Sequence, residues 1–173
     1  MSSLCCSPPR TRLRAWEPSP RSASRTSRDS RIAEIAAGAA HETPIRARYG
    51  ETDSQGIINN ANYLSYFEIG RVEWLRAAGL SYRELEERGI GLVVTEALTR
   101  YRAPARFDDE LTLRTTLAEL GRASLRFEYT VLRGGGEIST GYTRHGCVDI
   151  ASGRPRRIPE DFAGALRSEP SEG

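Results

Sequence analysis

The 173-residue chain contains no lysine, so all 25 of its basic residues are arginine. That bias reflects genome composition more than mechanism. No run approaches the roughly 20 consecutive apolar residues that span a bilayer, and mean hydropathy is negative, which excludes a membrane span of the helical kind. Three cysteines are too few for a disulfide framework. Cys5 and Cys6 are adjacent near the start, and Cys147 sits in a strand-like run as a small hydrophobe. This usage fits a reducing, cytoplasmic setting. Two histidines, His41 and His145, stand far apart, and no Cys/His cluster has zinc-ligand spacing. No G-x-S-x-G elbow marks a serine hydrolase. A net charge of +2 gives no argument for nucleic acid.

What is present divides into two parts. Residues 1–43 carry seven arginines against four acids, with Pro8, Pro9, Pro18, Pro20 and many serines. Such a stretch cannot bury enough apolar surface to offset its ordering entropy, so 1–30 reads as a disordered extension. A short helix near Ile32–Ala40 is expected. An Arg/Ser-rich start also describes an organelle transit peptide, or a misassigned start site; the apolar core of a secretory signal is missing.

From Pro44 to residue 163 the pattern is that of a folded domain, followed by a flexible tail, 164–173. Ile45–Tyr49 reads as a strand and Ala61–Ala78 as the one long helix, stopped by Gly79. Ser81–Arg88 is a short helix with capping-box spacing between Ser81 and Glu84. Leu92–Tyr101, Glu110–Leu120, Ala123–Arg133 and Glu137–Ile150 read as four strands from their β-branched content and period-2 stretches. Gly134–Gly136 is a hairpin turn rather than a phosphate loop, since no helix follows it. Pro159–Leu166 forms a last helical turn or two. On a helical wheel, Tyr63, Tyr66, Phe67, Gly70, Trp74, Ala77 and Ala78 form one arc, which Leu64 and Leu75 extend. That arc is wider than the ~100° stripe of a surface helix. An antiparallel sheet curved around the helix accounts for it. Arg71 interrupts the arc and needs a partner, which Glu68 can supply.

The densest chemistry lies in YGETDSQGIINNANYLSYFEIGR, Tyr49–Arg71. Asp53 sits in a Gly-containing turn, and Asn59–Asn60 precede the helix. A helix start exposes backbone N–H groups without intrahelical partners, and so favours anions. A carboxylate beside such donors can act on a carbonyl without serine, histidine or metal.

Three blocks, TDSQGIINNANYLSYFEIGRVEWLRAAGL, YRAPARFDDELTLRT and CVDIASGRPRRIPE, together resemble the acyl-CoA thioesterases of the 4-hydroxybenzoyl-CoA thioesterase type. The resemblance covers Pro44–Phe162. It implies an α+β hotdog fold: about five antiparallel strands wrapped around one long central helix. It implies that Asp53 is the catalytic carboxylate, as nucleophile or general base, and that the Asn60 backbone N–H donates to the oxyanion. Gln55, Gly56 and Asn59 would bind substrate beside them. Arg154 and Arg156 would contact the CoA phosphates, as guanidinium geometry suits. It further implies acyl-CoA as substrate, with acyl-carrier protein as the other thiol carrier to consider. No separate cofactor or metal is expected. Homodimers or homotetramers are expected, with active sites at subunit interfaces. Where many relatives carry histidine, this chain has Ile57 and Asn60.

Each residue also has a plainer reading. Thr-Asp-Ser-Gln-Gly is good turn chemistry, and asparagine is a favoured N-cap. Tyr63 and Trp74 fit the core, Glu68 pairs with Arg71, His145 is a structural strand histidine, and the Arg154–Arg157 run is solvated surface. Two other functions remain open. An acyl-thioester hydratase or dehydratase needs a histidine near the helix start, which is absent. A non-catalytic acyl-thioester-binding protein fits the missing histidine. Nucleic-acid binding by the Arg-rich start lacks a folded module.

Overall fold

The computed structural model describes residues 40–167. The N-terminal extension and most of the helix expected near Ile32–Ala40 fall outside the described residues. The elements are β1 (His41–Arg46), a 3-10 turn (Tyr49–Glu51), α1 (Asn62–Ala77), α2 (Tyr82–Glu87), β2 (Ile90–Tyr101), β3 (Glu110–Leu120), β4 (Ser124–Arg133), β5 (Gly136–Asp149) and α3 (Glu160–Arg167).

The five strands form one antiparallel sheet in the order β1-β3-β4-β5-β2. β3, β4 and β5 are joined by short turns, whereas β1 and β2 are the edges. Alternation works as the sequence indicates: Leu111, Leu113, Thr115 and Leu117 on β3, and Leu125, Phe127, Tyr129 and Val131 on β4, are all buried. Against them α1 buries Tyr63, Tyr66, Phe67, Gly70, Trp74 and Leu75. Phe67 stacks on Tyr129 with ring centroids 4.3 Å apart, and Trp74 meets Phe127 edge-on at 5.5 Å. This is the sheet curved around a central helix that defines the α+β hotdog architecture. Leu64, placed in the apolar arc, is instead 43% exposed.

Both boundaries of the folded part move outward. β1 begins at His41, not Ile45, and ends at Arg46; His41 already pairs with Thr115. Pro44 lies inside β1, where an edge strand tolerates proline. At the other end Gly164–Arg167, assigned to a flexible tail, complete α3, where Phe162, Ala163 and Leu166 are buried. The one-turn spacing of Phe162 and Leu166 gives this short helix an apolar face.

α1 ends as its glycine requires. Gly79 has φ +73°, its N–H reaches the Arg76 carbonyl at 3.0 Å, and the Leu80 N–H reaches that of Leu75 at 2.9 Å. These two bonds are the Schellman pattern. Ser81 caps α2 by accepting from the Glu84 N–H. Arg71 is ion-paired with Glu68 at 3.3 Å. Among the described residues no helix is long and apolar enough to cross a membrane.

Candidate functional site

The site begins as a backbone device. Thr52 and Ile58 form an isolated antiparallel bridge, and the chain between them closes into a tight loop. The Asp53 N–H donates to the Ile57 carbonyl at 2.9 Å, and the Gly56 N–H donates to the Asp53 carbonyl at 3.0 Å. Gly56 has φ +70°, a conformation that glycine adopts without steric cost. One oxygen of Asp53, Oδ1, accepts from the Gln55 N–H at 2.8 Å. Its other oxygen accepts no hydrogen bond from a described residue. Asp53 is therefore both the turn former and a carboxylate with one face uncommitted. Buried Ile58 donates its N–H to the Ala105 carbonyl at 2.8 Å, which anchors the loop to the segment after β2.

The start of α1 follows directly. The Asn59 side chain caps the entering turn, its Oδ1 accepting from the Ala61 N–H at 3.0 Å. The helix N-cap itself is Ala61, which makes no side-chain cap. Capping thus falls to Asn59 and not to Asn60. The Asn59 N–H and the Asn62 side-chain amide both donate to the Glu51 carbonyl at 2.8 Å. Glu51 is fixed in turn by the Tyr66 hydroxyl, which donates to its carboxylate at 2.7 Å. Burial, and then this bond, push the Tyr66 phenol well above its ordinary range. The Asn60 N–H donates to no described residue.

Asp53, Gln55, Asn60, Tyr63 and Tyr101 line one cavity of about 500 Å³, whose apolar walls are Ile57, Ile58, Ala103 and Pro104. Arg133 steadies the far wall, donating to the Pro104 carbonyl and to Asp109, both at 2.8 Å. Burial opposes charge on Asp109, but the hydrogen bonds from Arg133 and the Arg106 N–H, together with the positive charge of both arginines, outweigh it and hold that carboxyl below the usual range. The cavity thus brings together a carboxylate residue, a residue whose backbone N–H is uncommitted, the cation Arg102 and apolar walls. That set can hold an acyl carbonyl and attack it directly or through water.

Of the residues singled out from sequence, Asp53, Gln55 and Asn60 share this cavity. Gly56 shapes the loop, and Asn59 supports it from beneath. Arg154 and Arg156 are not there. They follow the turn after β5, where the Asp149 N–H donates to the Arg154 carbonyl and Ile90 pairs with Asp149. Tyr101, on the cavity, ends the 12-residue β2 that Ile90 begins. At ~3.3 Å per residue those ends are on the order of 30 Å apart. Arg122 joins the arginines, since its carbonyl accepts from the Ile158 N–H at 2.9 Å. Tyr101 and Arg122 carry no local sequence signal, because only strand pairing places them. His145 is buried in the core, its Nε2 2.8 Å from the Thr143 hydroxyl, and does not line the cavity. Among the described residues no His, Cys, Asp and Glu cluster could hold a metal.

With that fold and cavity in view, the comparisons with known proteins are specific. The family model of the thioesterase-like superfamily matches residues 47–166, and the chain belongs to that superfamily. An acyl-CoA thioesterase, YbgC, of Haemophilus influenzae is 31% identical over 124 residues, covering 71% of this chain and 91% of its own length. The solved structure of a hypothetical protein from Thermus thermophilus is 43% identical and superposes with a TM-score of 0.70, covering 72% of this chain and 95% of that one. A DHNA-CoA thioesterase from Staphylococcus aureus is 28% identical with a TM-score of 0.71, covering 73% and 87%.

Proposed function

We propose that the chain hydrolyses acyl-CoA thioesters to a free acid and CoA. The observation that carries this reading is the placement of Asp53 and of Asn60, whose N–H donates to no described residue, on one largely apolar cavity. The superfamily membership and the names of the relatives support it. A thioester has a good leaving group, so a carboxylate acting as nucleophile or general base suffices, and most of the barrier reduction comes from the oxyanion donor. The site needs no metal for this chemistry. Gln55 orients the thioester at the loop.

The assembly we propose is a homodimer through β2. This edge strand pairs only with β5 among the described residues and exposes Val93 and Val94, 45% and 50%. A long exposed edge is a template for pairing. Antiparallel pairing of two β2 strands about a two-fold axis places the Ile90 end of one beside the Tyr101 end of the other. Arg154, Arg156 and Arg122 of a second copy then approach the cavity and meet the CoA phosphates.

The deciding experiment is a thiol-release assay over a panel of acyl-CoA substrates with Asp53→Asn. Turnover should fall at least 10³-fold with the fold retained, by the ~10²–10⁴ expected of general acid–base catalysis together with nucleophile loss. Activity near wild type in that variant would remove Asp53 from the role. Tight acyl-CoA binding without turnover in the wild type would instead favour a non-catalytic binding protein.

A further inference from the structure

We infer that Tyr101 is a positioning residue that orients the Asn60 oxyanion donor; the inference rests on the thioester-hydrolysis reading above. The hydroxyl of Tyr101 donates to the Asn60 carbonyl at 2.9 Å across 41 residues of sequence. Its ring meets that of buried Tyr63 edge-on, centroids 5.0 Å apart, and both tyrosines line the cavity.

The geometry shows what this bond controls. The Asn60 Cα joins two peptide planes. In the first, the Asn59 carbonyl accepts from the Asn62 N–H at 3.0 Å, which points the Asn60 N–H the opposite way. In the second, the Ala61 N–H is held by Asn59 Oδ1 at 3.0 Å, while the Asn60 carbonyl accepts from Tyr101 and, at a longer 3.4 Å, from the Tyr63 N–H. Glu51 ties the same turn to the chain on the other side through Asn59 and Asn62. The bonds to Asn60 and its peptide planes other than that of Tyr101 come from within four residues, and so move with the turn. Tyr101 alone ties the Asn60 carbonyl to the sheet, at the end of β2. A donor counts for catalysis only while aimed where charge develops, and small misplacements are costly.

The test is Tyr101→Phe, which keeps the ring and its contact with Tyr63 and removes only the hydroxyl. Losing an oxyanion donor outright costs ~10²–10³ in kcat, so loosening one should cost about tenfold. Substrate KM, and the Kd of a thioether analogue of acyl-CoA that has no carbonyl, should stay within about twofold. The Kd of a trifluoromethyl ketone analogue, whose hydrated carbon mimics the tetrahedral intermediate, should weaken by the same factor as kcat/KM, because only transition-state contacts are lost. In the ligand-free protein, the Asn60 amide resonance should broaden or shift while the melting temperature is retained.

An unchanged kcat overturns the inference, as does a loss confined to KM and thioether affinity, which would make Tyr101 a wall of the binding pocket. Absence of hydrolysis in the wild type refutes the thioesterase reading instead. In that case the Asn60 amide still decides the positioning claim, and an identical resonance in both proteins overturns it.

Discussion

Gly141 leaves room for Phe67. A methyl group added at Gly141 would overlap the Leu98 carbonyl oxygen and come within 2.6 Å of the Phe67 ring, which stacks on Tyr129. The backbone oxygen cannot yield as a flexible side chain would. Gly141→Ala is therefore expected to destabilise by about 1–3 kcal/mol, the usual cost of overpacking. Gly164 on α3 is the control, since a methyl group there meets nothing within 4 Å. Gly164→Ala should be neutral or stabilise by up to ~1 kcal/mol, because alanine favours the helix. Urea unfolding of both variants checks the contrast, and equal effects would contradict the packing described. Asn60→Ala should cost far less activity than Asp53→Asn, because the substitution keeps the backbone N–H. A loss as large as that at Asp53 would show that the Asn60 side chain is itself chemical.

At the scale of elements, α3 (Glu160–Arg167) matches the helical stretch expected at Pro159–Leu166 and takes in residues also assigned to the tail. Leu166 is 3% exposed, so Leu166→Ala should lower unfolding free energy by about 2–4 kcal/mol, within the range for large-to-small core changes. A change under ~0.5 kcal/mol would mean that the helix end contributes no packing. The same stretch from residue 164 also reads as the start of a flexible tail, because two turns show little periodicity before polar residues follow. The long elements were legible because each repeats its signal. α1 shows an apolar arc over four turns, β3 and β4 alternate cleanly, and Gly79 and Ser81 are end signals with a backbone mechanism. The site was legible in part for the same reason. Asp53, Gln55 and Asn60 lie on one contiguous segment, so nearness in sequence becomes nearness in space. In the sequence Tyr101 is only the last residue of a strand, and no local pattern gives the distance of Arg154 and Arg156 from the cavity. Both depend on how β2 pairs with β5, which no local pattern encodes.

For the molecule as a whole, His145 sets an acid limit. It is 1% exposed, and desolvation first, with the positive charge of Arg71 second, pulls its pKa from 6.5 to about 4. The unfolded chain therefore takes up this proton at a higher pH than the native one. Stability from this group is level above about pH 6.5, falls as pH drops, and levels again below about 4. The full effect is on the order of 3 kcal/mol. Urea unfolding at pH 7.5, 5.5 and 4.5 should show the decline, and His145→Gln should flatten it; an unaltered slope would place the acid sensitivity elsewhere. The loop closed by the Thr52–Ile58 bridge has a different kind of consequence. The proposed nucleophile or base and the proposed oxyanion donor belong to one self-bonded segment, 53–60, which also supplies the apolar walls Ile57 and Ile58, whereas the walls at Ala103 and Pro104 come from a separate stretch of chain. Part of the acyl-contacting wall is thus inherited apart from the reacting groups. Substitutions at 102–104 can retune which acyl group is accepted while the reacting geometry passes unchanged from ancestor to descendant, or from one engineered library to the next.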